Sequence, residues 1–181
     1  MVAVCTPYLR PAIIPGHNRS MRFCEKIIPW DKLPAWRARV RASGRKLVVT
    51  NGCFDLLHVG HVTYLENARS QADALLVGIN GDQSVRELKG ADRPVNTEND
   101  RAAVVAALAS VDAVCIFSER TATRFLQGAQ PDIYVKGGDY SLETIDQEER
   151  RLVEQAGGKM IIIPLVPGKS TTALLQKIAT L

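Results

Sequence analysis

Two of the three histidines in the chain stand three residues apart around a glycine, in His58-Val59-Gly60-His61. The stretch before them, Thr50-Asn51-Gly52-Cys53-Phe54-Asp55-Leu56-Leu57, leaves a β-branched run and turns at Gly52. Gly60 stands where the next helical pattern begins, so free backbone N–H groups and the positive end of the helix dipole face the loop. His58 and His61, at i and i+3, lie on one side of that first turn. Two imidazoles beside a helix N-terminus suit a phosphate and the charge that develops when it reacts. A pair of satisfied histidines in a polar loop is the plain alternative. A metal site is a further one, but no third ligand has matching spacing.

Other residues could serve the same chemistry. Leu88-Lys89-Gly90-Ala91-Asp92-Arg93-Pro94-Val95-Asn96 puts two cations, Lys89 and Arg93, in a polar loop. Lys136-Gly137-Gly138-Asp139 ends another apolar run; paired glycines let backbone press on a ligand, and Asp139 could accept hydrogen bonds from a ribose. A simple Gly-Gly turn reads equally well there. Gly168-Lys169-Ser170-Thr171-Thr172 enters the last helical pattern. It lacks the GxxxxGK spacing of a P-loop, yet it offers hydroxyls, a lysine and free N–H groups at a second helix N-terminus. Ser170 or Thr171 could also be an ordinary N-cap. Asp55 and Asp82 are either turn residues or ligands of sugar hydroxyls.

The elements that must carry these residues alternate. Residues 1–28 read as an arm punctuated by proline and glycine, and 29–44 as a short amphipathic helix stopped by Gly44. Apolar runs predict strands at 46–50, 74–80, 113–117, 133–136 and 160–164. Helical spacing predicts helices near 60–70, 83–88, 97–109, 121–127, 145–156 and 170–178. Near-continuous apolar strands, each followed by a helix, indicate an α/β fold: a Rossmann-like, doubly wound, five-stranded parallel sheet in a single domain over 29–181. Ligands of such sheets bind beyond the carboxyl ends of the strands, which is where every candidate above falls.

Composition narrows the function classes. Hydrophobic residues make up 46% and charged residues 23% of 181, which suits a globular domain. No apolar stretch approaches a membrane span, and no secretory h-region is visible, so cytoplasm is the expected compartment. Four cysteines without a CxxC pair argue against a disulfide framework or a structural zinc site. A net charge of +4 without a long basic run or an aromatic platform argues against nucleic acid and is compatible with an anionic small substrate.

The segment TNGCFDLLHVGH resembles the signature of the HxGH nucleotidyltransferases. Four separate pieces carry the likeness: FDLLHVGHVTYLENAR, LKGADRPVN, DIYVKGGDY and GKSTT. Within that superfamily the chain is most similar, over about residues 46–179, to the adenylyltransferases that make ADP-heptose from D-glycero-β-D-manno-heptose 1-phosphate. The resemblance implies catalytic roles for His58, His61 and Lys89. It implies nucleotide contacts from Asn51, Gly52, Phe54, Gly60, Lys136, Gly137, Gly138, Asp139, Lys169, Ser170, Thr171 and Thr172. Asp55, Asp82 and Arg93 would meet the acceptor, and Mg²⁺ would arrive on the phosphates of ATP with few protein ligands. Small molecules are the expected partners; the likeness, with apolar Ile27, Ile28 and Trp30 in or next to the arm, permits a homodimer. Leu165-Val166-Pro167 stands where many cytidylyltransferases carry an arginine, which weakens a glycerol-phosphate cytidylyltransferase reading. A non-catalytic nucleotide-binding module on the same fold is the alternative of another class.

Overall fold

A computed structural model describes residues 21–138 and 144–181. Five strands form one sheet: β1 Leu47–Gly52, β2 Ala74–Asn80, β3 Ala113–Phe117, β4 Ile133–Gly137 and β5 Lys159–Ile163. All pairs are parallel, and the order is β3-β2-β1-β4-β5. The helices are α1 Phe23–Lys26, α2 Leu33–Ala42, α3 Val59–Arg69, α4 Asp82–Lys89, α5 Glu98–Ala106, α6 Thr123–Ala129, α7 Gln147–Gln155 and α8 Thr171–Ala179.

Both faces of the sheet are covered, which is why the strands read as apolar runs rather than alternating ones. Val48, Val77 and Val135 point to one face and meet Tyr64, Leu65 and Ala68 of α3 and Ala102, Val105 and Ala106 of α5. Leu47, Val49, Leu76 and Tyr134 point to the other and meet Leu33 and Val40 of α2, Phe125 and Leu126 of α6 and Val153 of α7. Successive strand residues alternate between these layers, so Thr50 belongs to the α3 face and Asn51 and Lys136 to the α6/α7 face. Gly78 lets α6 lie close: a Cβ there would come within 2.6 Å of the Phe125 ring.

β2 and β3 occupy the residues their apolar runs predict; the other predicted elements shift by one to three, except α2, which starts four residues late behind a single 3-10 turn at Trp30–Lys32. α6 starts two residues late because the Ala122 N–H, just before it, is held by the Glu149 carboxylate at 2.9 Å. α5 begins at its Thr97 cap, whose hydroxyl accepts from the Asp100 N–H. The end of the arm is tied to the sheet: Ile27 bridges Val114, and the Ile28 N–H donates to the Val114 carbonyl at 2.7 Å. Lys26 Nζ donates to the carbonyls of Leu108 and Val111 just beyond α5. Ile27 and Ile28 therefore pack against this chain's own core. Among the described residues no helix is long and apolar enough to cross a membrane.

Candidate active site

The strand order reverses direction between β1 and β4, with crossovers leaving to opposite sides, and that switch point opens a crevice at the carboxyl edge of the sheet. A cleft of about 550 Å³ lies there, a volume suited to a nucleotide-sized ligand. Its walls include His58, His61, Lys89, Asn51, Gly52, Phe54, Asp55, Gly60, Arg93, Lys136, Gly137 and the run Lys169–Thr172. Sequence positions more than a hundred residues apart thus meet around one space.

The histidines are set by the start of α3. His58 is its N-cap in extended conformation, and its backbone N–H donates to His61 Nδ1 at 3.4 Å. An Nδ1 that accepts leaves the neutral ring's proton on Nε2. The two rings stack with centroids 3.9 Å apart, and Phe54, held at φ 46°, tilts against His61. Burial, and secondarily the neighbouring His58, push His61 down to about 4. Burial and the Lys169 charge also lower His58, whose Nδ1 is buried without a partner among the described residues. Both rings are therefore neutral near pH 7. Gly60 makes the arrangement possible, since a Cβ there would lie 2.9 Å from His58 Nδ1 and 3.2 Å from Lys169 Cβ.

The loop after α4 is docked on the histidine loop by one carboxylate. Asp55, 4% exposed, accepts from Arg93 Nε at 2.6 Å and from the N–H groups of Val95 and Asn96 at 2.9–3.0 Å. Burial would raise its pKa, but those amides and the Arg93 guanidinium outweigh it and hold the carboxyl below its usual range. Arg101, 1% exposed, fastens the same region by donating to the carbonyls of Cys53, Asn80 and Asn96 and to Asp82. Asp55 and Arg93 thus satisfy each other, and Asp82 pairs with Arg101 outside the cleft lining. Lys89 is exposed at the cleft and forms no ion pair among the described residues. It is the loop's available cation.

The second helix N-terminus arrives from β5. Ser170 caps α8 by accepting from the Ala173 N–H at 3.1 Å, and Thr171 Oγ1 donates to the Leu56 carbonyl at 3.2 Å. That contact seats α8 over the histidine loop, so Lys169 stands beside Gly60 and His58. Gly138, at φ 136°, donates its N–H to the Ile163 carbonyl at 3.3 Å and does not line the cleft. Asp139 lies outside the described residues.

Sequence reasoning missed the groups behind these walls. Tyr64 bonds Thr50 Oγ1 at 2.7 Å and the Val135 carbonyl at 3.1 Å, locking α3 to β1 and β4. Gly137 leaves room for that ring, which a Cβ would meet at 2.6 Å. Glu149 of α7, 4% exposed, holds Tyr134 and Lys136 at 2.9 Å each. Arg120, after β3, is exposed at the cleft. A glutamate in a charged helix and an arginine in a polar loop carry no local signal of this.

The cytidylyltransferase-like family model matches residues 49–175. The chain is 51% identical over 176 residues to the bifunctional protein HldE of Pseudomonas paraeruginosa, covering 97% of this chain and 36% of that one. It is 49% identical over 152 residues to the bifunctional protein HldE of Koribacter versatilis, covering 84% and 31%. The chain thus spans about a third of the length of these curated relatives. Among solved structures it resembles the lipopolysaccharide core biosynthesis protein from Thermoplasma volcanium GSS1, with TM-score 0.57 and 27% identity, over 68% of this chain and 98% of that one.

Proposed function

The chain belongs to the cytidylyltransferase-like family, and from that premise we propose that it transfers AMP from MgATP to D-glycero-β-D-manno-heptose 1-phosphate, releasing pyrophosphate and ADP-heptose. The observation that carries the reaction type is the convergence of two neutral histidines, two lysines without ion pairs among the described residues and two helix N-termini on one cleft. The heptose rests on LKGADRPVN and VKGGDY and agrees with the similarity to HldE and to a lipopolysaccharide core biosynthesis protein.

In the proposed reaction a phosphate oxygen of the sugar 1-phosphate attacks the α-phosphorus of ATP. The P–O bond to the β-phosphate breaks, and its electron pair leaves with pyrophosphate. An ionised phosphate needs no strong general base, so the chain supplies position and charge stabilisation. His61, with its proton on Nε2, and His58 donate to the α- and β-phosphates. Lys89 follows the transferring phosphoryl group, while Lys169 and the N-terminus of α8 with Ser170, Thr171 and Thr172 hold the leaving pyrophosphate. Gly52 and Phe54 shape the floor, and Gly60 keeps the approach to the histidines clear. Among the described residues the acids lining the cleft are Asp55 and Glu149, and both are committed to protein partners. The magnesium ion would then draw its ligands from phosphate oxygens and water. A reaction that consumes ATP belongs in the cytoplasm.

Pyrophosphate release tests this across ATP or CTP paired with heptose 1-phosphate or glycerol 3-phosphate. Turnover confined to ATP with the heptose is expected. Turnover with CTP and glycerol 3-phosphate alone would replace this reading by a cytidylyltransferase.

A further inference from the structure

The cleft has two parts of different electrical character. Lys169, beside Gly60 of α3, and Lys89, at the end of α4, are both exposed at the cleft and without ion pairs among the described residues. On the α6/α7 face stand Asn51 and Lys136, and there the lysine is neutralised: Lys136 Nζ lies 2.9 Å from Glu149 Oε2, while Arg120, before α6, is exposed at the same cleft. Glu149 has no free oxygen, because Oε1 accepts from the Ala122 N–H and Oε2 also meets the Tyr134 hydroxyl at 2.9 Å. A dianionic phosphate gains most from the unpaired lysines and least from a lysine already in a buried pair.

The paired wall still has donors to offer. Asn51 Oδ1 is held by the Tyr134 hydroxyl at 2.6 Å and by Lys136 Nζ at 3.2 Å. With its oxygen taken by those two donors, the Asn51 amide keeps its NH₂ at the cleft lining without a partner among the described residues. Lys136 spends two of its three N–H groups on Glu149 and Asn51 and keeps one. The Asn51–Lys136–Glu149 cluster is therefore close to neutral and donor-rich, the character that suits hydroxyl oxygens.

Resting on the proposed adenylyl transfer, we propose that Asn51 and Lys136 bind the hydroxyl-rich sugar of the acceptor rather than the nucleotide, with Glu149 as the positioning residue that sets both. In-line displacement places the attacking group opposite the leaving group. Pyrophosphate is held on the α3 face, beside α8, so the acceptor approaches from the α6/α7 face, where this wall stands. The assignment moves Asn51 and Lys136 from the nucleotide to the acceptor. It also takes the acceptor's sugar away from Asp55 and Asp82, whose carboxylates are engaged elsewhere.

Calorimetry on the whole chain tests it with two titrations: a non-hydrolysable ATP analogue into the free protein, and D-glycero-β-D-manno-heptose 1-phosphate into the analogue complex. Asn51→Asp keeps the shape but replaces the outward donor by an acceptor. It should weaken heptose phosphate by tenfold or more while the analogue binds within about twofold of wild type. Glu149→Gln, which loosens the Lys136 pair, should shift the same titration in the same direction, and a thermal melt of each variant confirms folding. Weaker analogue binding with unchanged heptose phosphate binding would return the wall to the nucleotide and overturn the proposal. So would two variants that titrate like wild type, or a wild-type complex that binds no heptose phosphate. The adenylyl-transfer reading fails separately, if the wild type binds both ligands yet releases no pyrophosphate.

Discussion

At the scale of single residues, the His58–His61 stack decides how the site responds to pH. Burial, then the His58 neighbour, lower His61 to about 4, whereas an unfolded histidine titrates near 6.5. Between those values the unfolded chain binds a proton that the folded chain refuses, so stability present above about pH 6.5 is lost as pH falls toward 4. Thermal melts at pH 7 and pH 5 should show a larger drop for wild type than for His61→Asn; equal drops would mean that His61 titrates normally. For turnover, His61→Ala should lose on the order of 10²–10³ in rate of pyrophosphate release, the usual cost of one electrostatic donor. Near-normal turnover would remove His61 from the mechanism. The histidines were legible in the sequence because HVGH places two rings on one helical turn. Their stacking and depressed pKa values were not, because the burial and, for His58, the Lys169 charge come from segments distant in sequence.

At the scale of elements, the site depends on how loops are clamped to strand ends. The Asp55 carboxylate is the point at which the loop following Lys89 meets the histidine loop. Asp55→Asn preserves shape but gives up the charge that binds Arg93 and two backbone N–H groups. Hydrogen exchange at Val95 and Asn96 should accelerate in that variant while β1 stays protected; unchanged exchange would show that another contact docks the loop. Gly60→Ala probes the other clamp. Its Cβ, 2.9 Å from His58 Nδ1, displaces the ring, and a misplacement of that size should cost on the order of 10² in turnover. Full turnover in this variant would show that the ring finds another place. The sequence suggested Asp55 and Asp82 as sugar ligands, since a loop carboxylate near a predicted site reads that way. Nothing local revealed that Arg93, four residues beyond the end of α4, would return to Asp55, or that Arg101 would be buried against Asp82.

At the scale of the whole molecule, one buried guanidinium ties together the ends of β1 and β2 and the start of α5. Arg101→Met leaves the Asp82 carboxylate and three carbonyls without their donor, and breaking such a buried pair should destabilise the chain by about 3–5 kcal/mol in urea unfolding. A loss well under 1 kcal/mol would mean that water replaces the guanidinium. The parallel sheet itself was readable, because ALLVGIN and AVCIF can only be strands buried on both faces. The two-sided cleft was not readable, because it arises from the reversal of strand order between β1 and β4, which periodicity does not encode. That reversal brings the HVGH turn and the GKSTT turn to one cleft. The most direct test is therefore product analysis after incubating the chain with MgATP and D-glycero-β-D-manno-heptose 1-phosphate. Equal amounts of pyrophosphate and ADP-heptose are predicted, both suppressed on the order of 10²-fold or more by His61→Ala. ADP and orthophosphate as the products, or no product although both substrates bind, would contradict the account.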